Sequence, residues 1–215
     1  MAGKKSDLDD HALVGSEEGP RSRRALIIRT AVDHFGKFGY DETKWSVIAV
    51  KVGIGQPALY HYYESKAHCL LFILRLALER SLERVTRAAA DSKTATEAVD
   101  QALKFTFDVS DFELRQLRIL QNNLSILATP RSSPVEEEQR ISARRTVRKI
   151  ELAWSQLLKK AMAEGAIPKR DAHLLARTIL GIITSTWRWY RPDGPHKIEK
   201  VGKFTSEACR RVMVG

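Results

Sequence analysis

From Arg23 to Lys66 the chain reads RRALIIRTAVDHFGKFGYDETKWSVIAVKVGIGQPALYHYYESK, with apolar residues three or four positions apart and glycine at the breaks. That spacing is the helix period, and short amphipathic runs joined by tight turns confine this stretch to three small helices packed together. Ala25, Ile28, Ala31, Val32 and Phe35 share one face of the first, and Gly36 and Gly39 bracket its end. Thr43 stands where a side chain would cap a second helix through Ser46, Val47, Ile48 and Ala49. Gly53, inside Lys51-Val52-Gly53-Ile54, permits the positive φ that joins two helices at a steep angle.

The third helix is short, from Gln56 to about Tyr62, with Pro57 in its first turn, where a missing N–H costs nothing. Leu59 faces inward, which leaves Gln56, Pro57, Ala58, Tyr60, His61 and Tyr62 outside. An amide can read base edges, small apolar groups and rings touch thymine methyls, and hydroxyl or imidazole groups reach phosphates. The arrangement fits a helix-turn-helix with its last helix in a DNA major groove.

Three motifs then coincide in order. They are Gly39-Tyr40 with Thr43, Ile48-Ala49 with Val52-Gly53-Ile54, and Leu59-Tyr60 with Tyr62-Tyr63 and Ser65-Lys66. Together they resemble the N-terminal domain of the tetracycline-repressor (TetR) family, and Gln56-Pro57-Ala58-Leu59-Tyr60 is similar to the recognition helix of its founding member. The resemblance covers roughly the N-terminal quarter. Lys44 stands where a second Thr is usual, and Tyr62-Tyr63 where His-Phe is common. The resemblance implies a homodimer on a palindromic double-stranded operator, regulated by a small-molecule effector. It implies that Gln56, Pro57, Ala58 and Tyr60 reach bases, while Thr43, Lys44, Ser46, His61, Tyr62 and Lys66 serve the backbone. Trp45 either packs inside or leans on the sugar-phosphate chain.

A net charge of +10 and a pI near 9.7 favour an anionic partner, nucleic acid first. Residues 21–66 carry eight Lys/Arg against four acids, and residues 1–20 two Lys against five, so most of the excess lies in 67–215. The first twenty residues show no periodic apolar face and read as a disordered arm. Arg21, Arg23 and Arg24 behind it either reach for phosphate or simply start the helix. No apolar run is long enough to span a membrane. Cys69 and Cys209, lacking metal-site spacing, fit reduced thiols in a cytoplasmic protein.

Beyond the reader the pattern stays helical, over about 66–90, 95–109, 113–127, 134–163, 171–190 and 196–212. No segment alternates with period two. The expected fold is therefore all-α, about nine helices, divided into an arm at 1–20, a helix-turn-helix domain at 21–66 and a helical effector-binding and dimerisation domain at 67–215. The helix expected at 171–190 is apolar nearly all round, which asks for burial on two sides. The last helix carries Ile198, Val201, Thr205, Ala208 and Val212, with Gly202 and Ala208 small enough for close approach. A four-helix dimer interface through the last two helices follows.

A ligand cavity is expected among the inner faces of the body, at Leu117, Gln121, Leu124, Trp154, Leu158, Ile183, Trp187 and Arg188. The segment Trp187-Arg188-Trp189-Tyr190-Arg191-Pro192-Asp193-Gly194-Pro195 admits two readings. Either the aromatics plug the body and Arg191 meets a helix C-terminus, or Arg188 clamps the anionic end of a ligand. The segment is similar to the tails of TetR relatives that sense acyl-CoA thioesters of lipid or steroid breakdown. Arg140, Arg144 and Arg148 share a face that is either solvated or a patch for a nucleotide phosphate. The alternatives in function are an efflux-type repressor sensing a neutral or cationic drug, for which Asp108 and Asp111 are the acids to inspect, and an effector-free DNA-binding structural protein. His11, His34, His61, His68, His173 and His196 are scattered, so nothing in the spacing asks for a catalytic centre, a metal or a cofactor.

Overall fold

The computed structural model describes residues 20–215, and among them the regular elements are ten helices. Three form the reader: α1 (Pro20–Phe38), α2 (Trp45–Val52) and α3 (Gln56–Tyr62). A long helix, α4 (Lys66–Asp91), leaves the reader and runs through the body. Around it lie α5 (Ala95–Phe107), α6 (Asp111–Asn122), the single turn α7 (Ser125–Ala128), α8 (Pro134–Ala163), α9 (Ala172–Trp189) and α10 (Ile198–Val214). The arm expected at 1–20 lies, except for Pro20, outside the described residues.

Five of the ten helices begin at a side chain that satisfies free N–H groups of the first turn. Ser65, Thr94 and Ser133 each accept from the backbone three residues on, and Asp171 accepts from His173 and Leu174. Ser110 and Glu113 complete a reciprocal capping box on α6. Gly39 and Gly53 have φ of 89° and 73° and make the two turns of the reader.

Three expectations need correction. Thr43 does not cap α2: it is buried, its hydroxyl donates back to the Gly39 carbonyl at 2.7 Å, and Lys44 holds the cap position. The helix expected at 113–127 breaks after Asn122, where the Asn123 amide folds back onto the Ile119 carbonyl at 2.8 Å. A side chain taking a backbone carbonyl competes with helix continuation, so the remainder is the separate turn α7. Gly202 does not face a partner: a Cβ there would lie 2.7 Å from Cβ of Phe107, so its smallness lets α10 close on α5 within the same chain.

One buried cluster runs without interruption from Ile28, Val32 and Leu59 of the reader, through Leu70, Leu71 and Leu74 of α4, to Leu158 and Ile179 of the body. A second gathers Phe107, Leu114, Leu117, Trp187 and Tyr190 at the far end. Val201 and Thr205 of the expected dimer stripe point inward. The outer surface of α9 and α10 instead shows Leu174, Phe204 and Val214, which are 64%, 74% and 58% exposed.

Candidate nucleic-acid interface and effector cavity

In α3, Leu59 is fully buried and anchors the helix, while Gln56, Pro57, Tyr60 and His61 are exposed and Ala58 and Tyr62 half-buried. Gln56 and Tyr60 lie one turn apart, and the amide Nε2 donates to the phenol oxygen at 3.4 Å. This preorders two groups able to meet a base edge and a neighbouring phosphate. At the start of α2, Lys44 is exposed and Ser46 half-buried beside them. Trp45 is buried, and its indole N–H is enclosed without an acceptor among the described residues.

Lys66 has a different place from the one expected. Its ammonium donates to the carbonyls of Tyr40 at 2.8 Å and Thr43 at 2.9 Å, and lies 4.2 Å from the centre of the Tyr40 ring. Those contacts commit it to holding the loop before α2 against the start of α4. Burial around Tyr40 pushes its phenol up to about 12. Of the three arginines behind the arm, Arg24 donates to the Tyr62 carbonyl at 3.3 Å and stacks over Tyr63, so it clamps the end of α3. Arg21 and Arg23 stay exposed.

The body holds a cavity of about 300 Å³. Leu117, Gln121, Leu124, Trp154, Ile183 and Trp187 line it, together with Leu78, Leu120, Ile150 and Leu180. Two expected members do not. Leu158 is fully buried within the main core, and Arg188 sits exposed at the C-terminal end of α9. The guanidiniums that do line the cavity are Arg84 and Arg177. Arg84 pairs with Glu113 at 2.5 Å, while Arg177 stands 3.8 Å from Glu151, which also lines the wall. Burial alone would raise Glu113, but Arg84 and the Ser110 N–H outweigh it and hold the carboxyl below its usual value. Ser81 and Arg84 escaped the sequence reading because they look like the wet side of a long helix. The signal present was the run Leu78, Ser81, Arg84 at steps of three along one side of the helix. Asp108 and Asp111 are absent from the cavity wall.

The aromatic tail follows the structural alternative. Trp187 packs on Phe107 with ring centres 5.1 Å apart, Tyr190 is buried, and Arg191 donates to the carbonyls of Arg188 and Tyr190 at 3.3 Å. Nor are the arginines of α8 a uniform surface. Arg140 is buried, forks onto Glu137 and donates to the Leu127 carbonyl at 3.0 Å. Those two hydrogen bonds, ahead of other effects, hold the Glu137 carboxyl down at about 2. Among the described residues no group of His, Cys, Asp and Glu could hold a metal, and no helix is long and apolar enough to cross a membrane. Both cysteines are free and buried.

Residues 27–72 match the family model described as bacterial regulatory proteins, tetR family, and residues 116–213 match the tetracyclin repressor-like C-terminal domain. The chain is 27% identical over 186 residues to the HTH-type transcriptional repressor KstR2 of Mycolicibacterium smegmatis, spanning 86% of this chain and 87% of that one. The structure of the ketosteroid transcriptional regulator KstR2 of Mycobacterium tuberculosis superposes with a TM-score of 0.75 at 23% identity, over 94% of this chain and 99% of that one. AibR, in complex with isovaleryl coenzyme A and operator DNA, superposes at 0.71 with 18% identity, over 86% and 97%.

Proposed function

The chain belongs to the TetR family of bacterial regulatory proteins, and from that premise we propose a dimeric repressor released from its operator by a small hydrophobic effector. The observation that carries the reading is the joint presence, in one chain, of a preordered recognition helix and a largely apolar cavity in the helical body. Gln56, Pro57, Ala58 and Tyr60 meet base edges, and Lys44, Ser46, His61 and Tyr62 meet the backbone. Thr43 and Lys66 shape the loop behind them. Trp45 packs inside, as part of the reader's core. Two readers, joined through α9 and α10, address major grooves one helical turn apart. The exposed Leu174, Phe204 and Val214 are the apolar surface such a pairing would cover.

The effector is an acyl-CoA thioester from lipid or steroid breakdown. The names of the relatives support this, as do Arg84 and Arg177 at a mostly apolar cavity. A cavity of about 300 Å³ is at the lower end for small-molecule sites. It holds the acyl part and leaves the nucleotide outside, near the exposed Arg177. Glu151 favours a second reading, in which a cationic drug pairs with this loosely held carboxylate.

The test is a binding titration on a palindrome selected from random DNA, repeated with isovaleryl-CoA, longer acyl-CoA thioesters and a hydrophobic quaternary ammonium. Specific binding about 10³-fold above random DNA, reversed by micromolar thioester, is the expected result. Release by the ammonium compound alone would transfer the cavity to the second reading. Binding without site preference, collapsing steeply with salt, would leave only an electrostatic DNA binder.

A further inference from the structure

Glu64 and Ser65 lie two and three residues beyond the end of α3, and both reach across to the effector body. The Ser133 hydroxyl makes a close hydrogen bond to the Glu64 carboxylate. The Ser65 hydroxyl donates to Oε1 of Glu136 at 2.5 Å, and Nε of Arg131 donates to the other carboxylate oxygen at 2.7 Å. Glu136 is buried; burial alone would raise its pKa, but Ser65 and Arg131 outweigh it and hold the carboxyl below its usual value.

The same strap continues to the cavity. The Arg131 backbone N–H donates to Glu137 at 2.9 Å, Glu137 holds Arg140, and Arg140 holds the carbonyl of Leu127 in α7. Arg144 adds a longer bond to that carbonyl, at 3.5 Å. Leu124, at the cap of α7, lines the cavity wall. Hydrogen bonds therefore link Glu64 and Ser65, just beyond the recognition helix, through side chains and the Arg131 backbone, to the Leu127 carbonyl, three residues from the cavity-lining Leu124.

We infer that Glu64, Ser65, Arg131, Ser133 and Glu136 form a polar latch, whose members are positioning residues that set the recognition helix relative to the effector body. Three features support the assignment. The bonds are charge-assisted and thus stronger and more directional than neutral ones. Glu136 is buried, so breaking its bonds leaves an uncompensated carboxylate and the latch tends to be wholly made or wholly broken. The strap's other end is α7, a single turn whose Leu127 carbonyl accepts from Arg140 and Arg144 and whose capping Leu124 lines the cavity, where a ligand can press on it. The packing of α1 on α6, with Arg115 Nε 3.5 Å from Asp33, is a separate fastening that uses none of the latch residues. Opening the latch alone would leave the reader hinged there. The consequence for DNA rests on the reading of α3 as the recognition helix; the latch itself does not.

The experiment measures the intrachain distance between spin labels at Lys51→Cys in the reader and Lys159→Cys in the body, in protein diluted with unlabelled chain. Cys69 and Cys209 are buried and escape labelling. The wild type gives one narrow distribution. Glu64→Ala removes an exposed carboxylate without unfolding the chain and broadens the distribution about twofold; Glu136→Gln broadens it at least as much. Glu64→Gln, which keeps an acceptor for Ser133, restores the narrow form, which a general loss of stability would not do. An unchanged width in Glu64→Ala overturns the latch, and that variant decides alone if Glu136→Gln does not fold. Operator titration of the same variants separates the two readings. Broadening in a chain that selects no DNA site keeps the latch and removes the repressor. Unchanged width with intact operator binding does the reverse.

Discussion

The reader and the effector body place their working groups in opposite ways. In the reader, six of the seven residues of one short helix supply the surface, and the seventh, the fully buried Leu59, holds it down. In the body, the cavity wall is drawn from α4, α5, α6, α8 and α9, and no two neighbours in sequence contribute more than a side chain or two in succession. Exposed groups can therefore be altered in the reader without loss of fold, whereas almost any change in the cavity also changes the core. The two regions meet at α4, at the latch beside it and where α1 packs on α6, so the coupling between them is a property of that seam.

The largest expected effect lies in the reader. Tyr60→Ala reduces operator binding to the level of random DNA, a loss of about 10³-fold or more, while the melting curve stays unchanged. A variant that binds normally would break the comparison, because the exposed face of α3 would then not be the working surface. In the body, Trp154→Ala removes a buried side chain that also lines the cavity and lowers the unfolding free energy by about 3–5 kcal/mol in urea titration. A loss of effector response without loss of stability would show that cavity and core are more separable than the packing implies.

Gly202→Ala is smaller, about 1–3 kcal/mol, because the new methyl meets the Phe107 side chain and forces α10 away from α5. Acid has a subtler effect at the seam. Burial, opposed by Glu64 and Glu136, holds His68 below its ordinary 6.5, so the unfolded chain takes up that proton first as pH falls. Stability is therefore full above about pH 7 and declines through 6.5 toward the depressed folded value. Melting scans between pH 7.5 and 5 should show the decline in the wild type and a flatter trend in His68→Gln. Smallest of all is Arg188→Ala, which leaves thioester affinity within about twofold, since the side chain is exposed outside the cavity.

The same contrast explains what was legible before the structure. Period and punctuation locate the reader because its determinants are local: Gly53 announces the turn, Pro57 the first turn of α3, and Leu59 its buried side. Helix periodicity also reached part of the cavity wall, six of its eighteen residues, because Leu117, Gln121 and Leu124 are consecutive along one face, as are Ile183 and Trp187. It failed where contacts are set by distant partners. Arg140 belongs to a charged stripe in sequence, yet it is buried because the carbonyl of Leu127 and the carboxylate of Glu137 converge on it. Lys66 looked like a phosphate ligand until three carbonyls of the loop before α2 closed on it. Gly202 advertised close approach but not the partner, which is Phe107 of the same chain. The break after Asn122 turned on one side-chain bond to Ile119, which propensity alone does not weigh.

The most direct test of the account is reciprocal linkage. Calorimetry would measure the affinity of the protein for the thioester that releases it, first free and then saturated with the selected operator. If cavity and reader are coupled, operator weakens thioester binding by the same factor by which thioester weakens operator binding, within about 5–150-fold. Equal thioester affinity with and without DNA would contradict the account, leaving a reader and a cavity that share a chain but not a function.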